Sequence, residues 1–210
     1  QAPARAVCVT FDDGAASVAS LAAPVLDAVG VPGAVFVTAD PDSWVFERER
    51  RLTHSELREL VSRGYSVGCH GVSHFALTGM DRVRLERELR EARREVEALS
   101  GKPATDLAVP VNAHDARVRR FAAQAGYRMV LTADPGRVRP GTDPLRVPRN
   151  AIDGDTPSLA LEGLFRPRTL ALRRLQSALR RIPSRLLGER RWMPLRKRLF
   201  ASPLGRLLGF

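Results

Sequence analysis

Two adjacent carboxylates follow a short apolar segment near the start of the chain. Asp12 and Asp13 come directly after the run Val7–Phe11, and Gly14 follows them. A run rich in β-branched residues predicts a buried strand, and the glycine permits a turn that a side chain would obstruct. Neighbouring strand residues point to opposite sides, so one carboxylate can bind a metal ion while the other transfers a proton. The alternative is a polar turn in which one of them caps the next helix.

A pair of histidines forms the second group with chemical potential. His70 and His74 are four positions apart and follow another apolar run, which ends at Cys69. Histidines at this spacing share a face if the segment is helical, and can converge on one ion. Asp, His and His are a common ligand set for Zn²⁺ or a similar divalent ion with an open position. The alternative is a chance pair of polar loop residues.

The elements that must position these groups are strands and helices that alternate at short intervals. We predict strands over 7–11, 34–38, 65–69, 107–109 and 127–131, and a sixth over 145–147. We predict helices over 17–29, 53–63, 82–99 and 115–125. Ser17 and Thr53 are the expected N-caps of the first two, and Glu56 completes a capping box with Thr53. This alternation favours parallel strands, in a barrel or a doubly wound sheet, whose carboxyl ends open on one rim.

Composition indicates a globular protein with an unusual charge distribution. The chain has 210 residues, of which 44% are hydrophobic, and a net charge of +11. This length suits one domain, or one domain with an appendage. Residues 166–210 hold 12 Arg, Lys197 and a single acid, a net charge of +12, whereas residues 1–165 hold 21 basic and 22 acidic residues, a net charge of −1. The globular part is therefore neutral, and the excess lies in the tail.

The two cysteines and the apolar segments exclude several classes of protein. Cys8 and Cys69 both lie in predicted strands, so we expect two buried free thiols rather than a disulfide framework or a cysteine-rich zinc site. No apolar run reaches the roughly 18 residues of a transmembrane helix, and no N-terminal signal peptide is visible. Localisation stays open on these grounds.

The two motifs and the sequence between them resemble those of the polysaccharide deacetylase family (carbohydrate esterase family 4, the NodB homology domain). The resemblance extends over about residues 5–155. The matching stretches are Thr10-Phe11-Asp12-Asp13-Gly14, Pro32-Gly33-Ala34-Val35-Phe36-Val37, Ser62 to His70, the pair His70 and His74, and Ala125-Gly126-Tyr127. We therefore predict a deacetylase domain over residues 5–165 and a basic helical tail over residues 166–210.

The resemblance implies a fold, a reaction and a set of roles. The fold would be an α/β one, a distorted, incomplete (β/α) barrel, and the reaction the metal-dependent removal of N-acetyl groups from an N-acetylated polysaccharide or glycan. By motif position Asp12 would be the general base, and Asp13, His70 and His74 would hold the ion. That ion would be Zn²⁺, with Co²⁺ or Ni²⁺ as alternatives, and no other cofactor is expected. The main-chain N–H of Val111 would contribute to the oxyanion hole.

Two departures from the family pattern concern catalysis. The third family motif, Arg-x-Pro-Tyr/Phe, reads Ala108-Val109-Pro110-Val111 here, so Asp12 would lack its usual arginine partner. No histidine follows His114, although the family often supplies a late one as the general acid. His114 could approach the rim as a substitute acid, or Asp12 could return its own proton to the leaving amine. The rival hypothesis is a weak or inactive barrel that binds glycan or scaffolds polysaccharide assembly at a membrane.

The tail contains a basic amphipathic helix that we expect to end at Pro183. Its apolar positions are Leu172, Leu175, Leu179 and Ile182, which step by three and four residues among arginines. Three alternatives remain for the tail: packing of the apolar face onto the barrel, contact with an anionic membrane surface, or binding of nucleic acid. Nucleic acid is the least favoured, because the sequence has no recognised reading motif. The membrane alternative favours a membrane-peripheral or cell-envelope location.

Overall fold

Five short strands form a single parallel sheet. The computed structural model describes residues 6–31, 33–43, 49–152, 156, 161, 163, 164 and 166–187. The strands are β1 (Val9–Phe11), β2 (Gly33–Val37), β3 (Ser66–Cys69), β4 (Asp106–Ala108) and β5 (Met129–Leu131). They lie side by side in chain order, and every neighbouring pair is parallel. The sheet curls into a half-barrel, which confirms the α/β, incomplete-barrel prediction.

Helices connect the strands. A π-helical turn, Val18–Ala22, leads into α1 (Ala23–Ala28). The others are α2 (His54–Ser62), α3 (Arg82–Ser100), α4 (Ala116–Gln124) and α5 (Pro167–Leu187). Among the described residues, none of these helices combines the length and the apolar character that crossing a membrane requires.

The core lies between the sheet and the long helix α3. Strand β2 is buried along its whole length, as expected of a strand covered on both faces. Helix α3 turns Leu85, Leu89 and Val96 inward, at the spacing of one helical face, and all three are completely buried. Cys69 is buried as predicted. The same prediction is wrong for Cys8, which is exposed because it precedes β1 rather than lying within it.

Three local predictions are wrong. The expected sixth strand is a 3-10 turn, Pro144–Arg146, after which Val147 alone pairs with Leu131 as an isolated bridge. Ser17 makes no side-chain cap, and its main-chain N–H donates instead to Glu49 Oε1 at 2.8 Å. Helix α5 continues beyond Pro183 to Leu187, since a proline removes one helical hydrogen bond without always ending the helix.

Other boundaries follow the sequence closely. The capping box of Thr53 and Glu56 is present at the start of α2. Asp81 caps α3 by accepting from the N–H of Arg84 at 2.8 Å, and Gly101 ends that helix at a φ of 69°. The boundary at residue 165 between domain and tail stays a prediction. Residues 188–210 of the predicted basic helical tail lie outside the described part of the chain.

Candidate active site

The turn after β1 presents both carboxylates at the rim of the half-barrel. Asp13 has a φ of 71° and Gly14 a φ of 81°, both in the left-handed region. A Cβ on Gly14 would lie 2.8 Å from Val37 Cγ1, so this turn needs a glycine both for its conformation and for its close approach to β2. The side chains of Asp12 and Asp13 are 30% and 22% exposed. Both therefore remain reachable from solvent.

The two histidines converge through a loop rather than a helical turn. His70 directly follows β3, and residues 71–76 are non-helical. Gly71 has a φ of 81° and His74 a φ of 54°. A left-handed conformation at a residue other than glycine costs about 1–3 kcal/mol and persists only where the surroundings impose it. The condition for a shared helical face is therefore not met, yet the two histidines converge as the spacing suggested.

Glu88 is what anchors this loop to helix α3. Its side chain is buried, and Oε1 accepts three hydrogen bonds from the loop: from Val72 N at 2.9 Å, Ser73 N at 2.8 Å and Ser73 Oγ at 2.9 Å. A buried carboxylate is stable only when its oxygens are satisfied in this way. Glu88 thus fixes the segment that joins the two histidines.

Asp13, His70 and His74 have the geometry of a metal-ligand set. One ligand atom from each lies within 4.8 Å of the others. Asp13 Oδ1 is 3.2 Å from His74 Nε2 and 3.6 Å from His70 Nε2. Ligand atoms of a tetrahedral zinc ion with bonds near 2.0 Å are about 3.3 Å apart. The donor set therefore fits a divalent ion such as Zn²⁺ and leaves a coordination position for water or substrate.

His70 is held in the tautomer that metal binding requires. Its Nδ1 lies 2.8 Å from the carbonyl oxygen of Ala108. A carbonyl can only accept, so Nδ1 carries the proton and the lone pair of Nε2 faces Asp13. Burial lowers the pKa of His70, and this outweighs the opposing effects of the nearby carboxylates. The ring is therefore neutral, as a ligand must be.

Arg149 is the partner of Asp12 that the sequence appeared to lack. Its Nη1 and Nη2 donate to the two carboxylate oxygens of Asp12 at 2.7 and 2.8 Å, a bidentate pair. Nη1 also donates to Thr10 Oγ1 at 3.1 Å, and Nε donates to the carbonyl of Thr132 at 3.2 Å. One guanidinium thus contacts groups next to both edges of the sheet. The expectation that Asp12 has no arginine is wrong, because the arginine comes from a later segment.

This pairing sets the ionisation of Asp12. Burial alone raises the pKa of Asp12, but the hydrogen bonds from Arg149, then electrostatic interactions with the side chains of His70, Arg149 and His74, outweigh it. The net result is a pKa below the ordinary aspartate value. Asp12 is therefore ionised at neutral pH, as an acceptor of protons must be.

The third motif lies beside the histidine loop. Val111 has a φ of 46° and Asn112 a φ of 55°, so this turn is another left-handed segment. Pro110 Cγ would be 3.3 Å from a Cβ on Gly71, which places the turn directly against the loop between the two histidines. Asn112 fixes it, because Oδ1 accepts from Ala133 N at 2.8 Å. The Val111 side chain is 43% exposed.

His114 lies in a hydrogen-bonded network behind this turn. Its side chain is only 2% exposed. Nε2 is 3.2 Å from Asp134 Oδ2, and Nδ1 is 3.4 Å from Nη1 of Arg119. Asp134 also accepts from Asn112 at 3.2 Å. These contacts favour a structural role in which His114 supports the third-motif turn, and the role of substitute acid stays a prediction.

Arg149 and Glu88 are the site residues that sequence reasoning missed. Arg149 follows the segment 145–147, so the strand-end rule that found Asp12 and His70 would have found it too. Glu88 lies on a helix dense with alternating arginine and glutamate, where one buried carboxylate gives no separate signal.

The five-stranded half-barrel, with a candidate metal triad and an adjacent ionised aspartate on its rim, has the fold of the polysaccharide deacetylases. The family model described as polysaccharide deacetylase matches residues 1–130. The chain belongs to the polysaccharide deacetylase family.

The similar proteins come from several bacteria. YxkH of Bacillus subtilis strain 168, whose name places it among the polysaccharide deacetylases, is 24% identical over 132 residues. That match covers 63% of this chain and 46% of YxkH, so the chain spans less than half the length of that relative.

Solved structures show the same fold. The Streptococcus pyogenes deacetylase PplD, in complex with acetate, has a TM-score of 0.69 at 19% identity and covers 79% of this chain and 72% of its own. IcaB from Ammonifex degensii has a TM-score of 0.67 at 23% identity and covers 82% of this chain and 75% of its own. At these sequence identities, the similarity shows that the fold is shared and nothing more.

Replacing Arg149 by methionine is expected to lower the kcat of the deacetylation predicted from the sequence by about 10–100-fold. It should also move the acidic limb of the pH–rate profile to higher pH. Arg149 holds the pKa of Asp12 down, so removing the guanidinium raises that pKa, and Asp12 then needs a higher pH to lose its proton. Steady-state kinetics across pH measure this shift.

The control is Arg149→Lys, which keeps the charge but cannot form the bidentate pair. It should shift the acidic limb less than the methionine variant does. A fall in kcat with an unchanged pH profile would show that Arg149 supports the fold rather than the ionisation of Asp12.

Proposed function

We propose that the protein is a metal-dependent hydrolase that removes N-acetyl groups from an N-acetylated polysaccharide or glycan. The observation that carries this proposal is the convergence of Asp13, His70 and His74 beside Asp12. Zn²⁺ is the proposed ion, since nitrogen and carboxylate ligands at this spacing suit it, and Co²⁺ or Ni²⁺ would suit the same set. Family membership and the shared fold support the reaction class.

The roles of the residues follow from their positions. A divalent ion held by Asp13, His70 and His74 would supply Lewis acidity, lowering the pKa of water and polarising an amide carbonyl. Asp12, kept ionised by Arg149, accepts the proton of the attacking water. The N–H of Val111 lies on a turn packed against the histidine loop and is proposed to donate to the developing oxyanion.

The leaving amine also needs a proton. Asp12 holds one after the attack and is the proposed donor, because both ring nitrogens of His114 already have hydrogen-bonding partners. In this scheme one carboxylate acts first as base and then as acid. Nucleic acid is not a proposed partner.

A second candidate function is a weakly active or inactive barrel that binds glycan. The histidine content favours it. His114 is the last of the four histidines and its ring is enclosed, so no late histidine is available to protonate the amine. Such a protein would keep the fold and the metal without efficient protonation of the amine.

Acetate release from N-acetylglucosamine oligomers tests the choice between these candidates. With added Zn²⁺ or Co²⁺ we expect release that depends on the metal and stops with a chelator. The control is a de-N-acetylated oligomer, which can release nothing. Failure to release acetate from any acetylated glycan, by protein shown to hold metal, would support the inactive barrel.

A further inference from the structure

Over residues 167–178, whose side chains the structure describes, one side of helix α5 contacts the barrel. Leu170 is buried, with 6% of its surface exposed. Arg174 Nε donates to the carbonyl of Pro135 at 3.0 Å, and Arg173 Nη1 donates to the carbonyl of Ala151 at 3.5 Å. These three residues define the inward side of the helix.

The apolar stripe of the helix lies on the opposite side. Leu172 and Leu175 are 56% and 58% exposed. At 3.6 residues per turn they lie about 200° and 140° around the helix from Leu170, which directs them away from the barrel. The sequence continues the same spacing at Leu179 and Ile182. The described residues thus speak against packing of the apolar face onto the barrel, and the stripe has no partner within the described part of the chain.

The charge around this stripe is of one sign. Residues 166–187 hold seven arginines and no Asp, Glu or Lys, a net charge of +7. Residues 1–165 have a net charge of −1, so they supply no strong counter-charge. A partner for this surface must therefore be both apolar and anionic.

We infer that α5 lies on an anionic lipid bilayer, with Leu172 and Leu175 inserted between the lipids and the basic residues of the tail attracted to the headgroups. An amphipathic helix with a basic polar face binds such interfaces through apolar insertion and through attraction to anionic headgroups. A bilayer needs no complementary groove, which suits a plain stripe of leucines. Attraction to the headgroups weakens with salt, whereas insertion does not.

The test is co-sedimentation of the full chain with vesicles of phosphatidylcholine alone, or of phosphatidylcholine mixed with phosphatidylserine, at low and high salt. We expect binding to the mixed vesicles that salt reduces in part. The double variant Leu172→Ser/Leu175→Ser should lower the partition coefficient by about 10-fold or more. The matched control is Leu21→Ser/Val25→Ser, which removes two apolar side chains that are 69% and 64% exposed elsewhere on the surface. It should bind like the unchanged protein.

Several results would overturn the inference. One is a full chain that stays in the supernatant with mixed vesicles at low salt. Another is a double variant that keeps its circular dichroism spectrum and binds as before. Equal binding to both kinds of vesicle would show that anionic lipid does not contribute to the binding. Binding of duplex DNA or RNA, or self-association that depends on Leu172 and Leu175, in place of vesicle binding, would assign the surface to nucleic acid or to a second copy.

Discussion

Replacing His74 by alanine is expected to abolish stoichiometric metal binding and, with it, acetate release. Three protein ligands are the minimum usually found for a catalytic zinc ion, and the variant would keep two. Losing an outer-shell partner costs about 10–100-fold in metal affinity, so losing a direct ligand should cost more. Asp13→Ala should behave in the same way, because Asp13 Oδ1 is within 3.6 Å of both histidines. Metal analysis of the dialysed proteins measures the loss.

The matched control is His54→Ala, which removes an exposed histidine at the start of α2 that does not belong to the proposed ligand set. It should retain one equivalent of metal and its activity. Stoichiometric metal in His74→Ala, under the same dialysis, would show that the ligand assignment is wrong.

Asp12→Asn is expected to retain the metal and to lose turnover by about 10²–10⁴-fold, the usual contribution of a general base. Asparagine keeps the shape of the side chain and can still accept from Arg149, but it cannot take a proton from water. The three proposed ligands are unchanged. Metal analysis and kcat, measured on the same preparation, separate the two effects.

Glu59→Gln serves as the control for this substitution. It makes the same change from carboxylate to amide at a side chain on α2 that is 66% exposed, so turnover should not change. If Asp12→Asn lost its metal together with its activity, Asp12 would belong to the ligand set instead of acting as a base.

The positions of the candidate site residues were predictable because strand ends in a parallel sheet meet at one rim. Asp12 and His70 each follow an apolar run, and that pattern is local in the sequence. The pairing of Arg149 with Asp12 spans 137 residues, and nothing local to either residue specifies it. The curl of the sheet, which brings the segment after β5 to the end of β1, decides that contact.

Helix boundaries show the same division between local and distant causes. The capping box at Thr53 depends on residues three apart and was found from the sequence. Ser17 is not a cap because its own backbone is already helical, with φ −58° and ψ −22°, and its N–H donates to Glu49, 32 residues away. Exposure of the α5 stripe was equally beyond sequence reasoning, since helical periodicity identifies an apolar side but not what it faces.

The three hydrogen bonds that Glu88 accepts bear on whether the domain stays folded when no metal ion is bound. These bonds join the histidine loop to α3 through protein atoms alone, and the core beneath is apolar. In a zinc finger the free energy of metal binding is the free energy of folding, so a chelator unfolds the domain. Here Glu88 of α3 already holds the histidine loop in place. A metal ion would therefore bind to a site that is folded before the ion arrives. An ion at the proposed site would therefore bind and dissociate without unfolding of the barrel.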